Sequence, residues 1–274
     1  MRWTERQRAM LAEMGLRLPV TADASMDDTA PTAVAEEALP SAAVPVRPAA
    51  PARPVAEAPP APVATPVAAR SRIAGVEKMD WPALREAVVG CTACTLCSSR
   101  RQTVFGVGST KAQWMVVGEA PGEQEDIQGE PFVGKSGQLL DNMLRAIGLT
   151  RSEAETDPAK QVYIANTLKC RPPGNRNPLP EELAQCEPFL LRQVELVRPK
   201  IILAMGRFAV QSLLRSQEPV GRLRGRVHRY HGVPLVVTYH PAYLLRNLDD
   251  KARAWDDLCL ALEVAEQAAA TSSP

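Results

Sequence analysis

The stretch Lys200-Ile-Ile-Leu-Ala-Met205, followed by Gly206, is apolar at five consecutive positions. It shows no alternation of apolar and polar residues. Such a run reads as a strand covered on both faces, as in a parallel sheet clad by helices. Working outward from it, the pattern alternates. Downstream come a helix over Phe208–Leu214, a strand over Val233–Thr238 and a last helix over Asp249–Ala268. Upstream, Glu181–Val197 reads as a helix in which Pro188 should force a kink or split off the first turn. Before it lie a strand over Val162–Leu168 and a helix capped by Ser136 and stopped by Gly148, with Leu139, Leu140, Met143, Leu144 and Ile147 on one face. Ala112–Gly118 is another short apolar strand, and Asp80 caps a helix through Val89 with Pro82 in its first turn. Four strands alternating with helices predict an α/β class, a three-layer α/β/α fold around a central four-stranded parallel sheet. Ligands of such sheets bind beyond the carboxyl ends of the strands.

The 274 residues carry 32 basic and 31 acidic side chains, a net charge of +1. A balance this even excludes a protein that holds nucleic acid by bulk charge. No apolar run reaches the ~20 residues of a membrane helix. The start, Met1-Arg-Trp-Thr-Glu-Arg-Gln-Arg8, opens no secretory signal, which points to the cytoplasm. Ten of the 25 prolines fall between Pro31 and Pro66, in a stretch otherwise rich in Ala and Val. That composition offers too little burial to offset ordering entropy. Residues 21–70 are therefore expected to be a disordered linker. Residues 1–20 carry a short amphipathic segment with Trp3, Met10, Leu11 and Met14, read as a fraying helix, with partner docking as the alternative. Residues 71–270 make one domain of roughly 200 residues. Residues 1–70 hold 7 basic and 8 acidic side chains, leaving the domain at about +2. Any DNA-binding surface must therefore be a local patch.

Six cysteines in so long a chain are too few for a disulfide scaffold. Cys91, Cys94 and Cys97 form CTACTLC; Cys170, Cys186 and Cys259 lie far downstream. A CxxC pair with two distant partners can give four thiolates to one centre, and zinc and an iron–sulfur cluster both accept four sulfurs. Ordinary buried thiols are the plainer alternative.

Polar motifs follow the predicted strand ends. Gly118-Glu-Ala-Pro-Gly-Glu-Gln-Glu-Asp126 makes a tight turn whose N–H groups can face an anion. Glu119 and Glu125 are its candidates for activating water, and Glu123 reads as a solvated turn residue. Asn166-Thr-Leu-Lys-Cys-Arg-Pro-Pro-Gly-Asn-Arg-Asn-Pro178 is too rigid and basic for a mere connection. His240-Pro-Ala-Tyr-Leu-Leu-Arg246 puts a His directly after a buried strand. Gly221–His231 gathers Arg222, Arg224, Arg226 and Arg229, read with nearly equal weight as a charged β-ribbon or as phosphate contacts.

Together GEAPGEQED, PFVGKSGQLLDNML, YIANTLKCRPPGNRNP, the Cys170–Cys186 interval and TYHPAYLLR resemble the family-four uracil-DNA glycosylases, the bacterial and archaeal type with a 4Fe–4S cluster. The resemblance runs from about Asp80 to Leu262. It implies Cys91, Cys94, Cys170 and Cys186 as cluster ligands, with Cys97 a spare and Cys259 in the core. It implies that Phe132 stacks under a flipped uracil, that Asn166 reads its N3–H and O4, and that Glu125 crowds the C5 position. His240 would face O2, helped by backbone N–H groups around Gly118, Glu119 and Ala120. The better-known uracil-DNA glycosylases carry an Asp where this chain has Ala120, so Glu119 or Glu125 is left as the candidate base. Arg171, Arg176, Arg224 and Arg246 are the candidate DNA contacts, with Leu244–Arg246 entering the duplex. The implied protein is a monomeric repair enzyme, cytoplasmic and nucleoid-associated, acting on single- or double-stranded uracil-containing DNA. Three alternatives compete: a relative that traps uracil-DNA covalently through a His on an inserted basic loop, a zinc-stabilised nucleic-acid-binding module, and a magnesium-dependent nucleotide hydrolase. No insertion stands beside His240, and there is no second acidic cluster.

Overall fold

The strand that opened the reading is Ile201–Met205, every residue of it buried. It stands near the middle of a six-stranded sheet in a computed structural model that describes residues 74–270. The expected helix over residues 1–20 and linker over 21–70 lie outside the described residues. In chain order the elements are α1 Trp81–Val89, β1 Val107–Gly108, β2 Trp114–Gly118, α2 Glu123–Gln128, α3 Gly134–Ala146, β3 Val162–Asn166, α4 Pro180–Val197, β4 Ile201–Met205, α5 Arg207–Leu214, α6 Val220–Leu223, β5 Val227–Tyr230, β6 Val233–Thr238, α7 Pro241–Leu244 and α8 Asp250–Ala270, with three short 3₁₀ turns.

The expected parallel core is present: β3-β2-β4-β6 run parallel in that order. The sheet is wider than expected, because an antiparallel strand closes each edge in the order β1-β3-β2-β4-β6-β5. Both additions were hidden for local reasons. β1 is two residues long, and β5 is a half-exposed hairpin arm carrying charge, so neither leaves an apolar run. The β-ribbon alternative for the arginine-rich segment thus holds for Val227–Tyr230.

Two apolar layers clad the sheet. One packs α3 and α8 against Val116, Ile164, Leu203 and Val236; the other packs α4, α5 and α6 against Met115, Ala165, Ile202 and Val237. The alternating strand positions feed opposite layers, which is why these strands read as unbroken apolar runs. A third cluster joins Leu84 and Val88 of α1 to Leu168, Cys170, Cys186 and Phe189. Local signals served unevenly. Asp80 caps α1 by accepting from the Ala83 N–H at 3.0 Å. Ser136, the expected cap of α3, lies within its first turn, since the helix already starts at Gly134. Pro188 is carried within one continuous helix, α4, rather than splitting it.

Candidate functional site

The carboxyl ends of β2, β3, β4 and β6 open on one cleft. Its lining includes Glu119, Ala120, Glu125, Phe132, Asn166 and His240, so the three polar motifs converge as the sequence implies. Asn175, Ser136, Tyr243 and Arg246 complete the wall. Asn175 and Tyr243 were present in quoted motifs but carried no separate signal of their own.

Gly118, the last residue of β2, lies buried behind the lining, against Asn166 and Phe132. A Cβ there would stand 2.5 Å from the Asn166 amide oxygen and 2.6 Å from the Phe132 ring. Only a residue without a side chain lets both approach the same backbone atom. Its carbonyl accepts from the Thr167 N–H at 2.9 Å, and the Glu119 carbonyl accepts from the Leu168 N–H at 3.0 Å and the Thr167 hydroxyl at 2.6 Å. These bonds lock the turn after β2 to the end of β3 and keep Asn166 beside Phe132.

Asn166 is almost wholly buried, as is Phe132. Phe132 lies near parallel to the His240 ring, with centroids 5.3 Å apart and planes inclined at 25°. Below Asn166 sits a charge the sequence reading missed. Lys169 is fully buried, and its ammonium donates to the Asn166 carbonyl at 2.9 Å and to Gln193 at 2.6 Å. Burial lowers its pKa to about 8. The word Lys in NTLKC is the only sequence trace of this support.

The two candidate acids differ in kind. Both carboxylate oxygens of Glu125 accept backbone N–H groups, from Gly122 and from Val133, each at 3.0 Å. Glu125 thereby ties the β2 turn to the Phe132 loop, and its lone pairs toward a water are partly spent. Glu119 lines the same cleft, and burial raises its pKa to about 7. Glu123 is exposed, 3.8 Å from Arg171 in a loose ion pair.

His240 follows β6 and caps α7, its Nδ1 accepting from the Ala242 N–H at 3.1 Å. An Nδ1 that accepts leaves the ring proton on Nε2. Burial, and secondarily the nearby Arg246, lowers its pKa to about 4. The ring is thus a neutral donor at physiological pH. Gly206, at the end of β4, has φ +88° and would put a Cβ 2.9 Å from the His240 Cβ. Two strand ends therefore seat the imidazole.

The four candidate DNA arginines separate. Arg176 forks onto buried Glu182, with contacts at 2.9 Å and 2.5 Å. Arg224 spans Asp257, which is fully buried, at 3.0 Å through both nitrogens and also donates to the Arg253 carbonyl. The sequence offered both as phosphate contacts; in the structure each is paired with a buried carboxylate. Arg171 donates to Asn175 at 2.7 Å, and Arg246 is exposed at the pocket rim. The expected wedge narrows as well. Leu244 is buried in the α7 turn, while Leu245 and Leu248 are exposed.

Cys91, Cys94, Cys97, Cys170 and Cys186 line one small apolar cavity with Arg100, Leu168, Lys169 and Phe189. No cysteine forms a disulfide. Arg100 donates to the Cys170 sulfur at 3.0 Å, and the Lys169 N–H to the Cys186 sulfur at 3.2 Å. Burial pushes the thiol pKa of Cys170 up to about 11 and that of Cys186 up to about 12. Cys259 is partly buried against the α3–α8 layer, as expected. Among the described residues, no three His, Cys, Asp or Glu side chains group closely enough to hold a single metal ion.

One cleft at the carboxyl ends of the parallel strands thus brings together an aromatic ring, a buried amide and a neutral imidazole. The family model for the uracil DNA glycosylase superfamily matches residues 105–259. The chain is 42% identical over 166 residues to a type-4 uracil-DNA glycosylase of Archaeoglobus fulgidus, covering 58% of this chain and 79% of that protein. It is 41% identical over 170 residues to a type-4 uracil-DNA glycosylase of Thermotoga maritima, covering 61% and 84%. A third, from Saccharolobus solfataricus, is 42% identical over 166 residues, covering 57% and 73%. The chain belongs to the uracil-DNA glycosylase superfamily, in its type-4 branch.

Proposed function

We propose that this protein hydrolyses the N-glycosidic bond of uracil in DNA, releasing the base and leaving an abasic site. The observation that carries the reading is the seating of Phe132, Asn166 and His240 around Gly118. A flipped pyrimidine would stack on Phe132, a contact worth ~1–3 kcal/mol. The Asn166 amide can accept from N3–H and donate to O4, a pattern that cytosine partly reverses. Negative charge grows on the pyrimidine as the bond breaks. The His240 Nε2–H would meet it at O2 as a neutral donor, helping the transition state more than the ground state.

For water activation the arrangement favours Glu119 over Glu125. Glu125 spends an oxygen on each of two backbone amides, whereas the Glu119 carboxylate accepts no hydrogen bond among the described residues and has a pKa suited to a base near neutrality. Glu125 is better employed as a clamp that also shapes the C5 side of the pocket.

The cysteine cavity suits a 4Fe–4S cluster held by Cys91, Cys94, Cys170 and Cys186. A zinc ion needs its donors about 2.3 Å from one point. A cluster brings its own iron and sulfide between the thiolates, which agrees better with sulfurs that border one cavity without converging. Arg100, which donates to the Cys170 sulfur, would share the charge of a ligating thiolate there. Such a cluster would bind the Pro-rich loop after Cys170 to α4 and the CxxC segment. Arg246 and Arg171 supply phosphate contacts, with Leu245 as the wedge. A repair enzyme of this kind acts as a monomer on chromosomal DNA, in a bacterium in the cytoplasm.

The test is incubation with a uracil-containing oligonucleotide followed by alkali. Strand scission without added metal ion is expected. Intact strands, or a stable protein–DNA adduct, would overturn the reading. Absorbance near 400 nm with iron and sulfide analysis tests the cluster.

A further inference from the structure

We infer that Arg151 is a positioning residue for uracil binding: it holds the backbone on which the Phe132 platform stands. This rests on the glycosylase reading of the pocket. Phe132 adopts φ +54°, a left-handed conformation that a bulky residue seldom takes unless its surroundings enforce it. The enforcement is visible. Arg151 Nη1 donates to the Pro131 carbonyl at 3.0 Å and Nη2 to the Phe132 carbonyl at 3.1 Å. Its Nε donates to Asp141 of α3 at 2.7 Å, so the fork is aimed by the helix that follows the platform. Opposite, Glu125 holds the Val133 N–H at 3.0 Å. From below, Gly137 gives the Phe132 carbonyl its room, since a Cβ there would lie 1.8 Å from that oxygen. The planar guanidinium meets two consecutive carbonyls and one carboxylate at once, which a lysine cannot do. Arg151 does not line the pocket, so its influence on uracil passes through the height and tilt of the Phe132 ring.

The experiment uses the full chain. Arg151→Met should raise the inhibition constant for free uracil and the half-saturating concentration of uracil-DNA by about five- to tenfold, the loss expected for charge-assisted bonds transmitted in part. The saturated single-turnover rate should stay within about threefold. Binding of DNA with a tetrahydrofuran abasic analogue, which offers no base to stack, should not change. Added to Phe132→Ala, Arg151→Met should have almost no further effect. Arg151→Lys should restore part of the loss. Asp141→Asn keeps the fork but loosens its aim, and should shift uracil inhibition the same way by about twofold; it carries the test if Arg151→Met fails to fold. Unchanged uracil inhibition in the folded variants, equal weakening on abasic DNA, or independent effects of the Arg151 and Phe132 changes would each overturn the inference. If no variant and no wild-type protein excises uracil, the glycosylase reading fails instead.

Discussion

At the residue scale, one ionisation decides how the pocket responds to pH. His240 has a pKa near 4 and accepts at Nδ1, so its protonation state does not change between pH 5 and 9. Glu119, at about 7, does change. If Glu119 ionises to activate water, kcat/KM should rise through pH ~7 and level above it. Glu119→Gln should flatten that limb; a limb surviving in the variant removes Glu119 from the role. The same shift has a stability sign. The folded chain holds this proton more tightly than the unfolded chain, so the contribution is full below pH 4.5 and is lost as pH rises through about 7. His240→Ala should slow single-turnover excision by about two to three orders of magnitude, the usual worth of one donor aimed at developing charge. An unchanged rate would take the imidazole out of the chemistry. Asn166→Asp should abolish uracil excision, and intact uracil selectivity would refute the reading role of the amide. These side chains were legible in the sequence because each lies at, or within two residues of, the carboxyl end of an apolar strand. Lys169, Arg151 and Gly206 were not, because their work is to hold another residue's backbone or ring, and such contacts between distant segments leave no local pattern.

At the scale of elements, the parallel core was legible and its borders were not. β2, β3, β4 and β6 are buried on both faces and announce themselves as apolar runs. The edge strands contact solvent and carry Gly and Arg, so their composition matches loops. The internal partners of the arginines were hidden for a related reason. Composition shows that Arg224 lies in a basic segment, but only the fold shows that Asp257 of α8 waits for it. Arg224→Met would strand a buried carboxylate and should cost about 3 kcal/mol of stability, measured by denaturant unfolding. A loss of DNA affinity with stability unchanged would return Arg224 to the DNA-binding set. Gly206→Ala joins two elements in one test. Its Cβ would meet His240 and its φ of +88° would be strained, so both activity and stability should fall.

At the scale of the whole molecule, a net charge of +1 leaves DNA binding to few groups. Arg176 and Arg224 are paired with internal carboxylates, while Arg246 stands on the pocket wall and Arg171 reaches Asn175 of that wall, which makes these two the first candidates for phosphate contact. Each phosphate contact adds about 0.7–0.9 to the slope of log affinity against log salt concentration. A protein that meets DNA through two such contacts should therefore show a shallow slope, of about 1.4 to 1.8. Arg246→Ala should lower that slope by roughly one contact while leaving the inhibition constant for free uracil nearly unchanged, since the base pocket is built by other residues. Arg224→Met should leave the slope where it is. A slope of about 6 or more in the parent chain would show that DNA is gripped far beyond the pocket rim, and the basic groups outside it, Arg222, Arg226 and Arg229 first, would then have to be tested in turn.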